Sequence, residues 1–109
     1  MISEDRLQKA LVYLAESDSN YGKLRGRVEG IEYRLKVAEA QGIIESQGKG
    51  NAEFIKSLSR ASDKYRALVD EFIEAKTELE TIAAKRKTEE IIISIWQSIN
   101  ANKRAGMIK

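Results

Sequence analysis

Apolar residues recur every three or four positions through most of this chain. Leu7, Leu14, Tyr21, Val28, Leu35 and Gly42 are spaced by seven. Ala10, Ser17, Leu24, Ile31 and Ala38 fill the intermediate positions. That spacing puts one apolar seam on one side of a helix, and a seven-residue repeat implies left-handed supercoiling against another helix. The pattern predicts a first helix over about residues 3–46. Ser3 is its N-cap, and Glu4 and Asp5 complement the positive end of its dipole. The polar run "ESDSNYG", Glu16 to Gly22, is a place where the helix could bend, but the register passes through it and predicts continuity.

"SQGKGN", Ser46 to Asn51, interrupts the pattern. Its glycines permit positive φ and end a helix, and Asn51 can cap the next one. The break is expected over 47–51. A helical second half is expected over about 52–104, kinked near Ser62, with a short tail over 105–109 beginning near a stop at Gly106. A second register runs through Tyr65, Leu68, Phe72, Ala75, Leu79 and Ile82. Its next two positions are Arg86 and Glu89, both charged, which predicts that the seam is interrupted there. Isoleucines then crowd the chain: Ile91, Ile92, Ile93, Ile95 and Ile99, with Trp96 among them. β-branched residues suit a strand, but helical pattern leads into this run without a turn signal, and no second strand exists to pair with it.

The fold expected is therefore all-α, a single domain built as a long antiparallel helical hairpin. Equal arms meeting near the glycine break place Lys23, Arg25 and Arg27 near Asp70, Glu71 and Glu74. Lys85, Arg86 and Lys87 fall near Leu11 and Lys9, without acidic partners. Two helices leave much of each apolar stripe wet, so self-association is expected. Ile91, Ile92, Ile95, Trp96 and Ile99 are the expected contact, because a helix apolar nearly all round must be buried on more than one side. The run is about half the roughly 20 residues that a membrane span needs.

Composition narrows the chemistry. The 109 residues are 42% hydrophobic and 33% charged, with no proline. Nothing therefore breaks a helix by fixing φ or removing an amide donor. Cysteine and histidine are both absent. That excludes disulfides, the usual zinc sites and Ser-His or Cys-His nucleophiles. The carboxylates Asp70, Glu71, Glu74, Glu78 and Glu80 read as a salt-bridged face rather than a metal or acid/base site. No catalytic residue, metal or cofactor is expected, and the chain is not expected to be an enzyme. The acidic N-terminal stretch without an apolar run points to the cytoplasm.

Net charge is +2 but uneven. Residues 1–47 and 48–82 each carry −1, and residues 83–109 carry +4. Phosphate binding needs accessible Lys and Arg. The candidates are Arg34 and Lys36 on the first helix, Lys49 at the turn, and Lys85, Arg86, Lys87, Lys103 and Arg104 near the C-terminal end. Cations also favour the C-terminal end of any helix, so charge alone does not select a ligand.

The order of features resembles the recombination mediator proteins of T-even-like phages. The shared features are a basic first helix, the break "QGKGNAEF" (Gln47 to Phe54), and a long second half ending in an apolar helix and "NKRAG". The resemblance implies a phage recombination or replication accessory protein, active in the infected host cytoplasm, that binds single-stranded DNA. It would load a recombinase, with that recombinase or a single-strand-binding protein as partner. It also implies a homo-oligomeric ring with the apolar C-terminal helix at the contacts. The family's basic pair before the glycines corresponds to Arg34 and Lys36 in "YRLKV", a few residues further from the break, where Glu39 and Gln41 stand closer. The coiled-coil seams alone fit equally well an interaction protein without nucleic-acid binding, such as an adaptor, an assembly chaperone or an inhibitor of a host enzyme.

Overall fold

The computed structural model describes residues 2–108, with side chains to residue 106. The described residues form three helices and no strand: α1 (Glu4–Glu45), α2 (Ala52–Arg60) and α3 (Asp63–Ile108). The fold is an all-α helical hairpin with α1 and α3 as its arms. Two compact units are distinguished within it, residues 23–79 and residues 1–22 with 80–109.

Helix α1 begins where Ser3 Oγ accepts a hydrogen bond from the Arg6 amide at 3.1 Å. It runs unbroken through Glu16–Gly22. The polar residues of that stretch face solvent, while Leu14, Ser17 and Tyr21 keep the seam partly buried. Gly48 has φ +86, a left-handed conformation that a side chain would strain, and the chain turns there. Asn51 then caps α2, its Oδ1 accepting from the Phe54 amide at 2.8 Å. The break expected near Ser62 is a complete helix boundary. Ser62 lies outside both helices and starts α3, its Oγ accepting from the Tyr65 amide at 3.3 Å. The expected stop near Gly106 does not occur. Glycine costs a helix only about 1 kcal/mol, and α3 passes through Gly106 to Ile108.

In the unit spanning residues 23–79, Leu24, Val28, Ile31 and Ala38 of α1 are buried together with Ala75 and Leu79 of α3. A column of polar contacts flanks this seam. Arg27 pairs with Glu78 at 3.8 Å, Arg34 with Glu71 at 3.4 Å, and Lys64 donates to Gln41 at 3.1 Å. All three contacts step by seven on both helices, as the flanking positions of an antiparallel coiled coil require. These pairs lie seven residues from those expected: Arg27, expected near Glu71, pairs with Glu78. The observed pairing is the better one electrostatically. The expected pairing would have put Arg34 against Lys64, whereas the observed one gives Arg27 and Arg34 acidic partners and Lys64 a neutral acceptor in Gln41.

The connection between the arms is more than the simple turn expected. Helix α2 folds back on the end of α1. Ser59 is buried, and its hydroxyl donates to the Glu39 carbonyl at 2.7 Å. Arg60 reaches the Glu39 carboxylate at 3.3 Å. The approach is close because position 42 is glycine. A β-carbon there would collide with Ser59 Oγ and lie 2.8 Å from Ser59 Cβ and 3.0 Å from its Cα. Backbone contact at that range cannot be relieved by rotating a side chain.

Gly42→Ala should therefore displace α2. Overpacking of this kind costs about 1–3 kcal/mol, against a fraction of that gained in helix propensity. Thermal unfolding should shift down by several degrees, and limited proteolysis should cut between residues 46 and 62 first. Gly22→Ala, where nothing lies within 4 Å of the new carbon, should leave both readouts unchanged or raise the melting temperature.

Candidate functional site

In the unit formed by residues 1–22 and 80–109, three strips run along α3. One faces α1 and carries Arg86, Glu89, Ile93 and Trp96, all at least half-buried. The expected interruption of the seam at Arg86 and Glu89 is not found. The seam continues through both residues because each charge is neutralised across it. Arg86 Nη1 donates to the Ser17 hydroxyl at 2.7 Å and to the Leu14 carbonyl at 3.0 Å. Its Nη2 donates to Asp18 at 3.1 Å, and its guanidinium carbon lies 4.9 Å from the Tyr21 ring centre. Cross-helix contacts therefore engage both ends of the guanidinium.

Glu89 is held differently. One nitrogen of Arg6 straddles its carboxylate, 2.9 Å from Oε1 and 2.8 Å from Oε2. The hydrogen bond goes to Oε1. Oε2 is buried and has the charge contact without a hydrogen bond of its own. Glu89 is 9% exposed and Arg6 38% exposed at their side chains, so the burden of desolvation falls on the acid.

Comparison with protein-family models, curated proteins and solved structures returned no match. Of the eight candidate cations, the structure ties up three. Arg86 lies inside the seam, Arg34 is paired with Glu71, and Lys85 rests its ammonium 4.4 Å above the Tyr13 ring. The expected placement of residues 85–87 beside Leu11 and Lys9 is corrected accordingly: Lys85 meets Tyr13, and Arg86 reaches Leu14, Ser17 and Asp18. Lys36, Lys49, Lys87, Lys103 and Arg104 are exposed. Lys36 and Lys49 belong to one unit, and Lys87, Lys103 and Arg104 to the other.

The expected apolar contact also divides. Ile91 and Ile95 are 48% and 45% exposed on the outward side of α3. Trp96 faces α1 instead. It lines a small depression of about 170 Å³ with Ile2, Glu4, Ile99, Asn100 and Lys103. No helix among the described residues is long and apolar enough to cross a membrane.

Sequence reasoning missed a groove in the other unit, about 480 Å³ in volume, beside the Arg34–Glu71 pair. Its apolar wall is Tyr33, Val37, Ala67 and Leu68. The signal was present in Tyr33 and Val37, two apolar residues outside the heptad positions that border the seam residue Ala38.

The unequal burial of the Arg6–Glu89 pair predicts unequal mutational costs. Arg6→Leu strands a buried carboxylate and should cost about 1–3 kcal/mol, discounted from a fully buried pair because Arg6 is partly exposed. Glu89→Leu releases an arginine that can turn to water and should cost little or stabilise. Urea denaturation of the two variants at neutral pH measures the difference. Equal losses would contradict the account.

Proposed function

We propose that this chain is a non-enzymatic accessory protein of nucleic-acid recombination or replication that binds single-stranded DNA. A recombinase or a single-strand-binding protein is the proposed partner, in a cytoplasmic setting. The supporting observation is the distribution of charge on the end of α3. Across residues 80–109 the seam internalises Arg86 and Glu89. Lys87, Lys103 and Arg104 are left facing solvent, with Glu90 as the exposed acidic residue nearest to them in sequence. Lys87, Glu90, Ser94, Gln97, Ala101 and Arg104 succeed one another at helical spacing along a single polar strip. Lysine and arginine on such a strip suit phosphates, and the serine and glutamine can donate hydrogen bonds between them. A flexible strand can track this surface without base-specific contacts.

A specific observation favours a second reading, a coiled-coil interaction protein with no nucleic-acid role. Arg34 and Arg86, two of the strongest cationic candidates in the sequence, have intramolecular acidic partners. Those contacts account for them without any ligand.

Titration with a fluorescent single-stranded oligonucleotide separates the two readings. Trp96 provides an internal reporter, because Lys103 lines the same depression. Each phosphate contact contributes about 0.7 to the slope of log affinity against log salt for single strands. Reversing Lys87, Lys103 and Arg104 to glutamate should therefore lower that slope by about 2. Absence of binding at low salt by the unaltered chain would sink the nucleic-acid reading and leave the interaction protein.

A further inference from the structure

The groove of about 480 Å³ in residues 23–79 has the size and lining of a small-molecule site. Such sites have volumes of about 300–1,000 Å³ and apolar walls with a few polar groups. Here the polar groups stand at two ends. Arg34 and Glu71 mark one end, Gln41 and Lys64 the other. Seven residues of helix separate the ends, about 10 Å. Between them Val37, Ala38, Ala67 and Leu68 offer only aliphatic surface. Ala38 is buried and Leu68 half-buried, whereas Val37 and Ala67 are exposed. Tyr33, 69% exposed, stands beside the Arg34 end. Alanine at 38 and at 67 leaves the space open, since a longer side chain at either position would enter it.

The two ends differ in charge. The Arg34 guanidinium has an acidic partner, Glu71 Oε1 at 3.4 Å. The Lys64 ammonium donates to the amide oxygen of Gln41 at 3.1 Å, a neutral acceptor. Lys64 also lies in the first turn of α3. That is the positive end of the helix dipole, where a cation is disfavoured. An anion beside Lys64 would relieve both conditions. An anion at the other end would meet the Glu71 carboxylate.

We propose that this groove binds a free carboxylic acid with an unbranched aliphatic chain. Its carboxylate sits at Lys64, and its chain runs over Ala38, Ala67 and Leu68 toward Tyr33. A single negative charge balances the surplus of one positive charge among Arg34, Lys64 and Glu71. The elongated aliphatic lining suits a chain rather than a ring system. The proposal makes no use of DNA binding, because Lys87, Lys103 and Arg104 belong to the other unit. Its failure would leave the nucleic-acid reading standing, and the converse holds.

Methyl-resolved NMR of the full chain tests it, with each probe kept below its micellar concentration. Octanoate should shift the methyl signals of Val37, Ala67 and Leu68 saturably. The methyls of Ile91 and Ile95, which are also exposed, should stay unmoved at the same concentrations. Affinity should rise about fourfold per methylene from hexanoate to octanoate. It should gain little from decanoate to dodecanoate, once the chain outruns the groove. Octanol, with the same chain and no charge, should bind several-fold more weakly. Lys64→Gln should bring octanoate down to the level of octanol. Ala67→Phe fills the groove from an exposed position and should lower octanoate affinity at least tenfold without loss of helicity. Equal shifts at Ile91 and Ile95, or affinity that climbs steadily with chain length, would reveal general adsorption to apolar surface and overturn the proposal. So would octanol binding as tightly as octanoate, or silence at Val37 and Leu68.

Discussion

The charged layer at Arg86 and Glu89 constrains the register of the unit around it. An apolar seam of Leu, Ala and Ile tolerates a slip of one heptad, because each slipped layer still buries aliphatic against aliphatic. A largely covered arginine and a buried glutamate do not tolerate it. Moving α3 by seven residues would take Arg86 away from Ser17 and Asp18 and leave Glu89 without Arg6. An uncompensated buried charge costs about 3–5 kcal/mol, a large share of the stability of a small domain. The pair need not stabilise the observed fold relative to an apolar layer. It makes the alternative alignments worse, as polar residues in coiled-coil seams do.

In the unit of residues 23–79, two different devices serve the same purpose. The column of Arg27, Arg34 and Gln41 against Glu78, Glu71 and Lys64 matches in one register and brings cations together in the adjacent one. Exposed pairs of this kind contribute little individually, about 0–1 kcal/mol each. Their effect is discriminative rather than stabilising. The contact of Gly42 with Ser59 is steric, and it seats α2 on the last turns of α1. A glycine whose position leaves no room for a β-carbon is as specific a marker as a matched charge.

Much of this was legible in the chain, and the failures share a cause. The two long helices, the cap at Ser3, the left-handed turn at Gly48 and the boundary at Ser62 come from local rules of spacing, capping and glycine conformation. The misreadings concern partners across the hairpin. Arg86 and Glu89 looked like interruptions because a heptad pattern scores charge as absence of core, although a guanidinium with an acceptor on the facing helix can occupy a seam position. Trp96 looked outward because isoleucines surround it in sequence, yet its angular position on α3 turns it toward α1. The partners of Arg27 and Arg34 lie seven residues from the expected ones, because the local pattern of either helix does not say which acidic residue each arginine reaches. The candidate cations were legible as residue types. Which of them remain accessible was not, since that depends on the same cross-helix pairing.

The division of α3 into strips is a consequence of these constraints. Once Arg86 and Glu89 occupy the seam, Ile91 and Ile95 fall on the outward side of α3, apart from the polar strip of Lys87, Glu90, Ser94 and Gln97. A lone hairpin would gain nothing from isoleucine on its wet side. β-branched residues are slightly worse helix formers than Ala, Leu, Lys or Glu, and exposed apolar surface invites aggregation. Ile91 and Ile95 on that side are the apolar surface that the seam with α1 leaves uncovered. The charged seam layer also keeps the two apolar surfaces distinct. An α3 strip without charge cannot replace the α1-facing seam, because Arg6, Ser17 and Asp18 would then lack their partners. The charged layer fixes which face of α3 meets α1.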